Sequence, residues 1–234
     1  MEKDSLAGCS TLTHVVIGDG VEYIKQGALG FCRNLEEVTL PFVGESLLKS
    51  GETHIGHAFS EGKYSFSSIP ESLKHLTITG GEIKKDNFKG CSSLTSVTIG
   101  NGVKNISEGA FAGASLEKLT LPFVGGKQGS EKVSYFGYIF GSERTRLKKL
   151  VSDNYLAYNV FVPKSLKTVE ITGGNIGDYA FSHCENITEI IIGNKVANIG
   201  KSAFVNCVNL TSLTLPFIST HVGDLFGARN HNFN

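Results

Sequence analysis

The stretch Ile199-Gly200-Lys201-Ser202-Ala203-Phe204-Val205-Asn206-Cys207-Val208-Asn209-Leu210-Thr211-Ser212-Leu213-Thr214-Leu215-Pro216 decides the fold. Its first half reads I-x-x-x-A-F-x-x-C and its second half L-x-x-L-x-L. The second half sends apolar side chains to one side at alternate positions, the signature of a strand facing a core. The strand pattern L-x-x-[LVI]-x-[LI] occurs eight times: Leu12-Val15-Ile17, Leu35-Val38-Leu40, Leu73-Leu76-Ile78, Leu94-Val97-Ile99, Leu116-Leu119-Leu121, Leu166-Val169-Ile171, Ile187-Ile190-Ile192 and the copy just quoted. The turn pattern recurs between them as Ile24…Ala28-Leu29…Cys32, Ile83…Asn87-Phe88…Cys91 and Ile176…Ala180-Phe181…Cys184. Ile106…Ala110-Phe111 reaches Ala114 instead of Cys, and Leu6…Cys9 is a truncated opening copy.

A period near 23 residues, as from Leu6 to Leu29 or Phe181 to Phe204, points to a stacked repeat. One such coil cannot bury its own apolar face; neighbours stacked on it can, with successive strands pairing in parallel. Eight strands spaced about 4.8 Å apart predict a stack on the order of 35 Å long. The expected architecture is one solenoid over 1–234, α/β but mostly β, with about eight coils. It has a parallel sheet on the concave face and short helical or 3-10 turns on the convex side. Gly18, Gly20, Gly100, Gly102 and Gly193, with the pairs Gly80-Gly81 and Gly173-Gly174, are expected to turn the chain at strand ends.

The coils cycle in threes, marked by Thr39-Leu40-Pro41-Phe42, Thr120-Leu121-Pro122-Phe123 and Thr214-Leu215-Pro216-Phe217. Leading-residue spacings of 23, 38, 21, 22, 50, 21 and 23 show that the two long coils follow this signature. Variant turns come after it: Ile55-Gly56-His57-Ala58-Phe59, Phe136-Gly137-Tyr138-Ile139-Phe140 and Val222-Gly223-Asp224-Leu225-Phe226.

Composition narrows the function classes. Lys+Arg and Asp+Glu are both 22, so no net positive field draws nucleic acid, and none is expected as a partner. No apolar run reaches a membrane span, so membrane insertion is not expected either. Five cysteines cannot all pair in one chain. Cys9, Cys32, Cys91, Cys184 and Cys207 share one repeat position, which fits buried small hydrophobes rather than a metal site or nucleophile. His183-Cys184 has the residue types of a catalytic pair, but sequence neighbours here point apart. His54 and His57 have an H-x-x-H spacing in a long coil without nearby cysteines. No phosphate-binding loop, G-x-S-x-G, H-E-x-x-H or calcium loop is present. Asn105-Ile106-Ser107, Asn186-Ile187-Thr188 and Asn209-Leu210-Thr211 fit by-products of the repeat better than glycan acceptors.

Leucine-rich repeats with Ala-Phe-x-x-Cys turns resemble the BspA-like, or Treponema-type, surface protein family, and Ile199–Pro216 fits that consensus closely. The resemblance implies a curved solenoid without enzymatic activity, catalytic residues or cofactor. It also implies an extracellular or cell-surface setting, usually within a longer secreted or anchored bacterial protein. Its implied role is protein binding or adhesion, to host matrix or cell-surface proteins. The alternative is a passive spacer that holds another domain away from a surface. The chain starts and stops mid-repeat without a signal peptide, recognisable caps or a wall anchor, so a fragment is expected. Uncapped ends make end-to-end self-association a further expectation.

Two groups of residues are candidates for partner binding. Arg144, Arg146, Lys148 and Lys149 lie with Tyr155 and Tyr158 in the longest coil, where insertions form loops that carry function. The other group is the outward ladder of the concave face: Thr39, Thr77, Thr98, Thr120, Glu170 and Thr214, with Val16 and Ile191 in the same row. Two positions earlier run His14, Glu37, His75, Ser96, Lys118, Thr168, Glu189 and Ser212.

Overall fold

The computed structural model describes residues 1–46, 54–60, 69–129, 135–141, 162–216 and 222–227. Its strands are β1 (His14–Val16), β2 (Glu37–Leu40), β3 (His75–Ile78), β4 (Glu82–Ile83), β5 (Ser96–Ile99), β6 (Asn105–Ile106), β7 (Lys118–Leu121), β8 (Thr168–Ile176), β9 (Glu189–Ile199) and β10 (Ser212–Thr214). Eight of them form one parallel sheet in the order β1-β2-β3-β5-β7-β8-β9-β10, and β4 pairs with β6 beside it. Every junction of the large sheet begins in the same register, so Val15, Val38, Leu76, Val97, Leu119, Val169, Ile190 and Leu213 form one row. This is the leucine-rich solenoid that the repeat predicts: each inward residue packs on its counterparts one coil away. The interior leading residues Leu35, Leu73, Leu94, Leu116, Leu166 and Ile187 are fully buried.

Across the core from the sheet, the turns form a second ladder. Leu29 N–H donates to Ala58 O (2.7 Å), Phe88 to Ala110 (3.1 Å), Phe111 to Ile139 (2.8 Å), Phe136 to Ala180 (2.8 Å), Phe181 to Ala203 (2.8 Å) and Phe204 to Leu225 (2.9 Å). These turns therefore satisfy backbone groups through neighbouring coils, much as the sheet does. Beneath the ladder the phenylalanines stack. Phe88 and Phe111 lie 4.5 Å apart and 3° from coplanar, and Phe136, Phe181 and Phe204 continue at 4.9 and 5.7 Å.

The short helical turns sit in the long coils, as 3-10 turns at Ile55–Phe59 and Phe136–Phe140, and as α1 (Val222–Phe226) after the third Leu-Pro-Phe. The Ala-Phe-x-x-Cys segments are different. In each, the residue two before the Phe or Leu has a left-handed backbone (Asp4, Gly27, Asp86, Gly109, Tyr179, Ser202), and so does the residue two after it (Gly8, Phe31, Gly90, Gly113, His183, Asn206). A left-handed residue at each end stops helical growth and keeps the rung to a single turn.

One expectation about glycine is corrected. Gly173 and Gly174 lie inside β8 and Gly193 inside β9; these strands run on past the glycines. Irregular pairing between Ile171 and Asn175 absorbs the bend. Gly174 has φ +76°, and a Cβ there would sit 3.1 Å from Phe123 Cβ, so the glycine admits the buried Phe123.

Candidate functional site

The sheet face places the ladder candidates together as the alternation requires. Val16, Thr39, Thr77, Thr98, Thr120, Glu170, Ile191 and Thr214 fall in one row across successive strands. His14, Glu37, His75, Ser96, Lys118, Thr168, Glu189 and Ser212 fall in a parallel row. The rows are not uniform. At the β1 end, His14 Nε2 lies 3.6 Å from Glu37 Oε2, and Val16 is 78% exposed. Toward β9 each carboxylate is held by a threonine of the preceding strand: Thr120 Oγ1 donates to Glu170 Oε2 (3.3 Å), and Thr168 Oγ1 to Glu189 Oε2 (3.1 Å). These bonds orient the two acids and cover Thr120, which is buried.

A third row was legible in the sequence but not read from it. The residue after each last inward position runs Gly18, Pro41, Thr79, Gly100, Pro122, Thr172, Gly193 and Pro216, a cycle of Gly, Pro and Thr. Across the proline coil, Thr79 Oγ1 donates to Asp19 Oδ1, and Thr172 Oγ1 to Asn101 Oδ1. The same hydroxyls reach the carbonyls of Leu40 (3.5 Å) and Leu121 (3.3 Å), just before each proline. Proline offers no N–H there, and the flanking coils close over it. The signal was the three-coil period at a position that faces away from the core.

Arg144, Arg146, Lys148, Lys149, Tyr155 and Tyr158 lie outside the described residues.

The repeated coils and their turn chemistry match a known family. The family model described as BspA type Leucine rich repeat region matches residues 1–51, 57–135 and 154–227 in six copies. The chain belongs to this family. A Treponema pallidum leucine-rich repeat protein of known structure is 18% identical over 89% of this chain and 69% of its own, with a TM-score of 0.31. A leucine-rich cell surface protein from Faecalibacterium prausnitzii A2-165 is 23% identical over 87% and 61%, with a TM-score of 0.29. A leucine-rich repeat protein from Bacteroides ovatus ATCC 8483 is 17% identical over 92% and 52%, with a TM-score of 0.28. Against the last two, the chain spans less than two thirds of the relative's length. No curated protein matches.

In this BspA-type solenoid the cysteines serve the stack. Cys32, Cys91, Cys184 and Cys207 are buried, Cys9 is partly exposed, and all five are free thiols. Cys32 Sγ donates to Leu6 O (3.0 Å) and Cys207 Sγ to Phe181 O (3.1 Å), each reaching back into the preceding coil. Burial pushes the Cys91 and Cys207 thiols up to about 12 and the Cys184 thiol well above its ordinary value. A thiol so disposed supplies no thiolate near neutrality. His183, beside Cys184, turns outward to Asn206 Nδ2 (3.0 Å).

The H-x-x-H spacing is likewise used by the fold. His54 Nδ1 accepts from Gly56 N–H (2.9 Å), and its Nε2 meets Lys89 O (3.0 Å), while His57 is buried inside the 3-10 turn. No group of three or more His, Cys, Asp or Glu among the described residues is arranged to hold a metal. Asn209 Nδ2 donates to Glu185 O (2.7 Å), tying that N-x-[ST] side chain to the neighbouring coil.

Proposed function

We propose that this BspA-type chain is a non-enzymatic protein-binding and adhesion module of a bacterial cell-surface or secreted protein. Its docking surface is the outward face of the large sheet, and its partners are host or cell-surface proteins. The observation that carries this reading is the in-register face itself. Its two rows, polar except for Val16 and Ile191, cross eight strands, with Glu170 and Glu189 held in place by threonines. A rigid, regular, polar surface of this kind suits an extended protein partner, because little side-chain freedom is lost on docking. The basic and aromatic stretch from Arg144 to Tyr158 is proposed as a second contact. The surface setting rests on the family resemblance; no helix among the described residues is long and apolar enough to cross a membrane.

The test is a binding screen against matrix, serum and cell-surface proteins, followed by two variants of the chain. Thr77→Arg with Thr98→Arg blocks the sheet face; Arg144, Arg146, Lys148 and Lys149 replaced together by Ala removes the basic stretch. Loss of binding in the first variant supports docking on the sheet, and loss in the second alone moves the site to the long coil. Surface attachment unchanged in both establishes the passive spacer instead.

A further inference from the structure

The coil before each proline coil continues from its strand through one tetrad, filled in three ways. These are Gly18-Asp19-Gly20-Val21, Gly100-Asn101-Gly102-Val103 and Gly193-Asn194-Lys195-Val196. Asn101-Gly102 is the sole Asn-Gly step in the sequence. In the first two tetrads a β-turn closes, with Val21 N–H donating to Gly18 O and Val103 N–H to Gly100 O, each at 3.1 Å. In the third the strand runs on: Asn194 lies inside β9, and Lys195 pairs with Gly173 of β8. Packing accounts for Gly102, because a Cβ there would lie 2.3 Å from Thr79 O. Asn101 before it is exposed, and its side chain is the acceptor for Thr172.

Three features meet on this one peptide unit. Lys104 Nζ donates to Asn101 O (2.7 Å), and Thr172 Oγ1 donates to Asn101 Oδ1 (3.4 Å). Gly102 N–H donates to no group among the described residues. A cation on the carbonyl oxygen draws density through the amide resonance and makes the adjoining Gly102 N–H easier to deprotonate. A hydroxyl on Oδ1 polarises the side-chain carbonyl and stabilises the oxyanion that forms when its carbon is attacked. Nucleophile and electrophile are neighbours in the chain, so no encounter has to be arranged. Glycine also puts no side chain beside the attacking nitrogen.

We infer that Asn101 is a self-modification site, converted to an acidic residue by its own backbone. The Gly102 amide nitrogen gives its proton to solvent hydroxide and attacks Asn101 Cγ, forming a new N–C bond. The Cγ–Nδ2 bond breaks, and Nδ2 takes a proton from water and leaves as ammonia. Water then opens the resulting succinimide at one of its carbonyls, giving aspartate or the isomer linked through the side chain. The net change is amide plus water to carboxylic acid plus ammonia, with nothing oxidised or reduced. The aspartate product repeats the first tetrad, where Thr79 Oγ1 donates to Asp19 Oδ1. Isoaspartate lengthens the backbone by a methylene where Gly102 presses on Thr79, so the folded chain favours aspartate. Conversion takes the formal net charge from zero to minus one and sets a carboxylate near Lys104 at the end of β5.

The test is incubation of the whole chain in mildly alkaline buffer, then digestion in acid and tandem mass spectrometry. The expected result is steady conversion at Asn101. Conversion at Asn194 should be at least about tenfold slower, because its backbone must leave the sheet to react. Lys104→Gln should slow Asn101 about threefold and Lys104→Arg should restore it, while the urea midpoints of these chains agree. Asn101→Asp, which supplies the product directly, should unfold at a urea midpoint no lower than that of the parent. Conversion at Asn101 no faster than at Asn194, or a rate that Lys104→Gln leaves unchanged, overturns the inference. So does a folded product that is mostly isoaspartate, or an Asn101→Asp chain that fails to fold. The chemistry is read without a partner, so its outcome and that of the sheet-face proposal are independent.

Discussion

Thr172 Oγ1 donates to Asn101 Oδ1 at 3.4 Å across 71 residues, reaching over the coil that carries Pro122. Thr79 and Asp19 repeat this relationship over Pro41. The three-coil period is therefore a physical lock: glycine clears the first coil, proline removes a donor from the second, and threonine of the third closes the gap. Each threonine hydroxyl also lies near the carbonyl before the proline, and Leu40 O accepts from the Thr79 backbone N–H (3.0 Å) whether or not the hydroxyl is present. A double-mutant cycle on Asn101→Ala and Thr172→Val, read by urea unfolding, should give a coupling of about 0.5–1 kcal/mol. The Asp19→Ala and Thr79→Val cycle should give a larger value because its acceptor is a carboxylate. Additive effects in both cycles would remove the lock.

Sequence reading reached the parts of this structure that repeat a chemical type. The inward rows were legible because a period of two, repeated in register, admits one buried side, and the cysteine rung followed from its fixed place after Phe. The left-handed pair in each turn was not legible, because Asp4, Tyr179 and Phe31 share a backbone angle with Gly27 and Gly8 but no side-chain chemistry. Gly173 and Gly193 do not end their strands, because glycine in a strand marks close approach as well as turning. The outward rows were placed correctly, yet the bonds from Thr120 to Glu170 and from Thr168 to Glu189 depend on rotamers that alternation does not specify.

The coplanar pair Phe88 and Phe111 is buried at the centre of the turn ladder, with rings 4.5 Å apart. Phe111→Ala removes a ring that also contacts Phe140 and opens a cavity between coils already fixed by backbone bonds. The expected cost is about 3–5 kcal/mol, measured by denaturant unfolding. Phe111→Leu should cost clearly less, since Leu29 fills the same rung in the second coil. Equal costs for the two variants would mean that the ring's own contacts, and not bulk, carry the contribution.

Gly27 and Gly8 separate backbone strain from crowding. Their φ values are +74° and +75°, but a Cβ on Gly27 would meet Ser60 O at 2.6 Å, whereas one on Gly8 meets nothing within 4 Å. Gly8→Ala should cost only the left-handed penalty, about 1–2 kcal/mol. Gly27→Ala must also displace the backbone of the first long coil and should cost about 3 kcal/mol or more. Similar melting temperatures for the two variants would show that the turn ladder yields easily at Ser60.

The thiol ladder makes stability depend on alkaline pH with a defined sign. Burial raises Cys91 from 9.0 to about 12 in the folded chain, so between those values the unfolded chain gives up a proton that the folded chain keeps. The unfolded state then binds fewer protons, and stability falls as pH rises through this window and is fully present below it. Each such thiol contributes a slope of about 1.4 kcal/mol per pH unit between the two values. Subtracting the unfolding free energy of Cys91→Ala from that of the parent chain isolates this slope from lysines and tyrosines that titrate nearby. The difference should be flat below pH 9 and decline above it; a flat difference up to pH 11 would place the thiol in solvent. The same burial sets reactivity. A thiol reagent at pH 8 should modify Cys9 rapidly in the folded chain and all five cysteines only after denaturation.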